Sequence, residues 1–181
     1  MTTIRGAARV AAIVFSLSAC SPAAEPEVPP LAVDSDVDEG AERDFAFTSL
    51  DGKPVTDEGY EGRMTVIGFV ATYDIGSQAQ ARFINEVVAK HVPRINALLL
   101  VLEPPQHRPM VEAFASSLDL RYDVVHADAK TTAGKGPFPG LHHVPSVVLL
   151  DRKGREVWRN LGLITAEKLD EAIAEHDPRA R

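Results

Sequence analysis

Cysteine is nearly absent from this chain. Its 181 residues hold one, Cys20, so the chain has no second thiol with which to form an internal disulfide or a dithiol couple. Tryptophan is as scarce, with Trp158 alone. No apolar run approaches the roughly 20 residues that carry a helix across a bilayer. Basic residues are in deficit, 19 Lys and Arg against 26 Asp and Glu, a net charge of −7. That balance lacks the basic footprint nucleic acid requires, and no nucleic-acid partner is expected. The excess carboxylate serves solubility. What is present is a 45% hydrophobic composition, enough to bury the core of one ordinary domain.

The first twenty residues read differently from the rest. In MTTIRGAARVAAIVFSLSAC, Arg5 and Arg9 precede a short apolar stretch, Val10 to Leu17, and then small residues. That is the pattern of a secretory leader. Its end, Leu17-Ser18-Ala19-Cys20, resembles a bacterial lipobox. The resemblance implies a lipoprotein signal peptide over residues 1–19 and acylation of Cys20, which would anchor the protein to a membrane. Ser21, where an Asp would signal retention, points to the outer membrane in a Gram-negative host. With Cys20 given to lipid, the folded part would hold no thiol. Residues 20–40, rich in Pro, Ala and acid, read as a flexible tether. The domain is expected over 41–181.

Within that domain, DFAFTSLDGKPVT alternates around Asp51-Gly52 and predicts a hairpin. Met64 to Ala71 is a buried strand by its apolar, β-branched content. Gln78 to Val92 predicts a helix, with Ala81, Phe83, Ile84, Val87, Val88 and His91 on one face and Pro93 as its stop. Ala97 to Leu102 is a second apolar strand. Pro109 to Leu118 predicts a short helix with Met110, Ala113, Phe114 and Ser117 along it, and Arg121 to His126 a short strand. The Gly/Pro-rich stretch 128–143 reads as a loop, its Thr131-to-Gly140 part as a mobile rim over the site. Ser146 to Leu150 and Glu156 to Asn160 form an antiparallel hairpin across Asp151–Gly154, because so short a turn cannot make a crossover. Thr165 caps a last helix that turns Leu169, Ala172 and Ile173 inward. Strands alternating with helices imply an α/β domain with a mainly parallel sheet and an antiparallel edge.

Several pieces in this order resemble the thioredoxin-like superfamily, in its TlpA and AhpC/TSA (redoxin) branch. They are DFAFTSLDGKPVT, Gly62-Arg63, FVATYDIGS, VEAFASSLDLRYDVVHAD and VPSVVLLDRKGREVWRNLG, covering roughly residues 43–176. The resemblance implies a thioredoxin-like three-layer sandwich, a mixed central sheet with an N-terminal β-hairpin and helices on both faces. It also implies a cis peptide bond at Pro145, facing the site. FVATYDIGS aligns with the family's F-W-A-T-W-C-x-x-C, so Asp74 and Ser77 stand where the two cysteines belong and Tyr73 where the tryptophan belongs. A carboxylate at a helix N-terminus keeps the charge favoured there but forms no mixed disulfide. A serine without an adjacent base is no thiol surrogate. The thiol–disulfide oxidoreductase or antioxidant activity that a family label would suggest is therefore disfavoured.

Capping accounts for Asp74 and Ser77 without any chemistry, since Ser77-Gln78-Ala79-Gln80 fits a capping box and Asp74 fits a cap one turn earlier. Three readings follow. A binding module would, as the resemblance implies, use the backbone beside Pro145, with Val144 and Tyr73, to hold an extended peptide of an envelope protein. A metal-handling protein would gather His142, His143 and Asp74 around Cu(II) or zinc. An acid–base enzyme would need the same neighbours and shows no substrate signature. Gly134-Lys135-Gly136 lacks phosphate-loop spacing. Trp158 and Phe114 read as core, His91 as a helix end, and His107, His126 and His176 show no evident partner.

Overall fold

A computed structural model describes residues 40–177 and Arg179, all within one compact unit. The leader, Cys20 and the tether lie outside the described residues. Two short strands, β1 (Ala46–Thr48) and β2 (Pro54–Thr56), pair antiparallel across the Asp51-Gly52 turn, where Gly52 takes a positive φ of 83°. A single helical turn, α1 (Asp57–Tyr60), follows. The main sheet has five strands: β3 (Met64–Val70), β4 (Ile95–Val101), β5 (Asp123–His126), β6 (Ser146–Leu150) and β7 (Glu156–Leu161), in the spatial order β5-β4-β3-β6-β7.

All seven residues of β3 are buried. The strand lies at the centre with both faces covered, which is why its sequence is a continuous apolar run and shows no alternation. From β3 the chain steps outward twice in one direction, through α2 (Ile75–His91) to β4 and through α3 (Arg108–Ser117) to β5. Two right-handed crossovers in the same direction place their helices on the same face. There α2 and α3 join α5 (Ala166–His176) over Val66, Val70, Leu99, Val101, Val147 and Leu149. Gly68 allows α2 to sit close: a Cβ there would come within 2.6 Å of Ile84 Cδ1 and 2.8 Å of Leu99 Cδ1.

The sheet is not mainly parallel. Only β3–β4 and β4–β5 are parallel, whereas β3–β6 and β6–β7 are antiparallel. The reason is the long 127–145 connection. It delivers the chain to the C-terminal end of β3, where Ser146 pairs with Phe69, so β6 must run back against β3.

The other face is covered by different means. Phe45, Val55, Ile67, Phe69, Leu98, Leu100, Phe138 and Leu141 form one buried cluster under the hairpin, α1 and the 127–145 connection. Within that connection α4 (Ala129–Thr132) is capped by Asp128, whose Oδ1 accepts from Thr131 N at 2.7 Å. Phe138 stands edge-on to Phe69 with ring centroids 5.4 Å apart. The stretch expected to be a mobile rim thus carries a core residue, Phe138, and with Leu141 just past it supplies the connection's apolar contribution to this face.

Two helix faces also differ from expectation. In α3 the buried stripe is Val111 and Phe114, with Ala115 and Leu118 packed beside it, and Met110 is exposed. Both stripes share Phe114, and 111-114-115-118 collects the larger apolar area. In α2 Phe83 is only half-buried, and the fully buried Gln80 joins the inward face instead. Among the described residues no helix is long and apolar enough to cross a membrane.

Candidate functional site

The loop between β3 and α2 leaves the sheet at the C-terminal end of its central strand. Asp74 is the N-cap of α2. Its Oδ2 accepts the Ser77 N–H at 2.6 Å, and its carbonyl accepts from Gln78 N at 3.1 Å. The helix therefore starts at Ile75, three residues before the sequence pattern suggests, because the earlier of the two candidate caps is the one used. Ser77 is fully buried, and its Oγ accepts from Ala71 N at 3.1 Å. Its hydroxyl closes the loop on itself and is not presented to solvent. Gln80 takes no part in a capping box either; its Oε1 accepts from Ile164 N at 2.9 Å, tying α2 to the segment before α5.

What the loop does present is apolar. Tyr73 is 71% exposed and Ile75 82%, on either side of the capping Asp74. Large exposed hydrophobics this close together are a surface signal in a way that scattered ones are not.

The second half of the site is the strand-entry loop ahead of β6. The Val144–Pro145 bond is cis. A Cβ on Gly76 would lie 3.3 Å from Pro145 Cδ and 3.2 Å from Asp74 Oδ2, so the two loops meet with room for glycine only at ordinary spacing. Pro145 O accepts from Gly162 N at 2.8 Å, and His143 O accepts from Ser146 Oγ at 2.9 Å. Val144, between them, has neither its N–H nor its C=O paired with any described residue.

His142 and His143 are exposed and tilted against each other, with ring centroids 4.2 Å apart. Gly134, at a φ of 67°, lies beneath His142: a Cβ there would be 3.1 Å from its Nδ1. Among the described residues no three His, Cys, Asp or Glu side chains are placed to share a metal ion. Asp74, spent on the α2 cap, does not join the two imidazoles in a ligand set.

The residue that sequence reasoning missed is Glu103, just past β4. Its side chain is buried; Oε1 accepts from Thr72 N at 2.5 Å and Oε2 pairs with His107 Nδ1 at 2.8 Å. His126 Nε2 lies 2.9 Å from the Glu103 carbonyl oxygen. Burial alone would raise the Glu103 pKa. The Thr72 N–H and the His107 imidazole outweigh it and hold the carboxyl below the ordinary glutamate value. Two histidines read as partnerless thus have partners, as does His176, whose Nδ1 is 2.8 Å from Ala172 O. The signal was present as an i, i+4 Glu–His pair directly after an apolar strand.

No family model and no curated protein matches this chain. Solved structures do. The DsbF homologue of Corynebacterium diphtheriae superposes with a TM-score of 0.68 at 14% identity, covering 76% of this chain and 87% of that one. A secreted Mycobacterium tuberculosis disulfide oxidoreductase, homologous to E. coli DsbE, gives 0.60 at 16% identity over 73% and 96%. StoA of Bacillus subtilis gives 0.59 at 18% identity over 73% and 97%. The chain has the thioredoxin-like fold. Within this thioredoxin-like domain, Asp74 and Ser77 cap and brace the loop, and no cysteine lies among the described residues.

Proposed function

We propose that this thioredoxin-like domain is a binding module that docks an extended segment of a cell-envelope protein along Val144, beside Pro145. The observation that carries the reading is the pair of unpaired backbone groups on Val144, set against the exposed Tyr73 and Ile75. An open N–H and C=O at the entry to a strand accept another strand, and adjacent apolar side chains give the area that backbone bonds alone do not. The thiol–disulfide chemistry named for the structural neighbours is not transferred. It needs a thiolate at the helix N-terminus, and here that position is the capping carboxylate of Asp74.

The leader pattern and the lipobox resemblance support placement outside the cytoplasm, with Cys20 lipidated at a membrane and the domain facing the periplasm. The outer membrane is favoured for a Gram-negative host.

Selection of a phage-displayed random nonapeptide library on the protein tests this. Peptides are expected that bind the parent chain, lose affinity about tenfold or more with Tyr73→Ala, and lose it again with Val144→Pro, which deletes the donor. Binding should be indifferent to chelators. Binding that needs zinc or Cu(II), and disappears when His142 and His143 are both changed to Ala, would replace this reading with metal handling by the imidazole pair.

A further inference from the structure

We propose that Glu103 is a positioning residue for the docking loop: its carboxylate holds the Thr72 N–H and thereby fixes the direction in which Tyr73 and Ile75 leave the sheet. This rests on the docking reading above. The inference starts from where the loop is tied. Ala71 N–H is held by Ser77 Oγ and Asp74 N–H by Ala71 O at 3.3 Å, both local contacts. Thr72 N–H alone reaches to another element, Glu103 at the end of β4, thirty-one residues away in sequence. Directly after it comes Tyr73, one of the two exposed anchors.

Glu103 is itself fixed from both sides. His107, from the turn leading into α3, holds Oε2, and His126, from β5, bonds the main-chain carbonyl. These imidazoles and the Thr72 amide are the groups that face it. A buried carboxylate accepting two hydrogen bonds makes a stronger tie than a neutral acceptor of the same shape, and leaving it unpaired would be costly. So the loop takes one geometry, and the ordering of Tyr73 is met before a ligand arrives.

Proton NMR reads the tie directly in the free protein. The Thr72 amide is expected to be protected, to lie downfield, and to shift as the pH falls below the ordinary glutamate range while Glu103 takes up its proton. In Glu103→Gln that pH-dependent shift should vanish while the fold persists. In Glu103→Ala the Thr72 amide should exchange about tenfold faster or more, the loss of roughly one charge-assisted bond. A library-selected peptide should bind both variants more weakly than it binds the parent, and Glu103→Ala the more weakly of the two. Unchanged Thr72 exchange in Glu103→Ala, or unchanged peptide affinity in both variants, overturns the proposal. If the parent selects no peptide, the docking reading fails, and the amide measurements still decide whether Glu103 holds the loop.

Discussion

The two faces of the sheet are equally dry and are sealed by opposite means. On one, α2, α3 and α5 lay aliphatic stripes over Val66, Leu99 and Val147. On the other, a hairpin, two single-turn helices and a nineteen-residue connection bring in Phe45, Phe138 and Leu141. A helix covers a sheet by repeating a local pattern. A connection covers it by placing a few large side chains at the right points, with no pattern at all. The difference matters for function because the candidate site is the seam between the two covers. The β3–α2 loop belongs to the helical side and the Pro145 loop to the other, and they touch at Gly76.

The sharpest way to break the comparison is to remove the anchor of the irregular cover. Phe138→Ala deletes a fully buried ring that meets Phe45 and Phe69. The expected cost is about 3–5 kcal/mol in urea unfolding, the usual range for a truncated core aromatic. A cost below about 1 kcal/mol would restore the picture of a rim that only borders the site.

On the helical face the corresponding test adds volume. Gly68→Ala would drive a methyl into Ile84 and Leu99, which already stand closer than any real Cβ contact allows. Overpacking of this kind costs about 1–3 kcal/mol. A smaller loss by the same unfolding measurement would mean that α2 lifts off the sheet easily, and the two covers would then differ in stiffness as well as in kind.

These sites also mark how much was legible in the sequence. β3, β4, β6 and β7 and the order of the helices were readable, because each leaves a local trace: an apolar run, a 3.6-residue period, a turn. The thioredoxin-like architecture came through the family resemblance. The direction of β6 was not, since no residue in SVVLL encodes which neighbour it pairs with or which way it runs. Phe138 was invisible for a related reason. One aromatic in a Gly/Pro-rich stretch looks like loop until the sheet beneath it is known. At the site, Tyr73, Asp74, Ser77 and Pro145 were found through the family resemblance. Glu103 was not, although the Glu–His spacing was there, because the bond that gives it meaning reaches back to Thr72, across all of α2 and β4.

A smaller effect on the helical side depends on pH. There Asp170 of α5 pairs with Lys90 and with the buried His91, both at the end of α2. The hydrogen bonds from Lys90 and His91 hold its carboxyl below the ordinary aspartate value. A carboxylate depressed on folding stabilises the protein above its unfolded pKa, and that contribution is lost as pH falls through the lower, folded value. Asp170→Asn should therefore cost about 1–2 kcal/mol at neutral pH and nothing in strong acid. Unfolding curves taken across the acid range check this: parallel curves for parent and variant would mean that the α2–α5 pair is not charge-dependent.

The smallest expected effect falls on the seam itself, at Asp74, which the sequence resemblance aligns with a reactive cysteine. If Asp74 is a cap and nothing more, Asp74→Ala should cost about 1 kcal/mol, and Asp74→Asn, which can still accept from Ser77 N, only a few tenths. Neither should alter peptide capture beyond what the loss of helix order explains, because the contacts proposed for the ligand are Val144, Tyr73 and Ile75. The informative variant is Asp74→Asn. It keeps the cap geometry and removes the charge, so a large change in affinity with unchanged stability could come only from the carboxylate meeting the ligand. That result would move Asp74 from the scaffold of the site into the site.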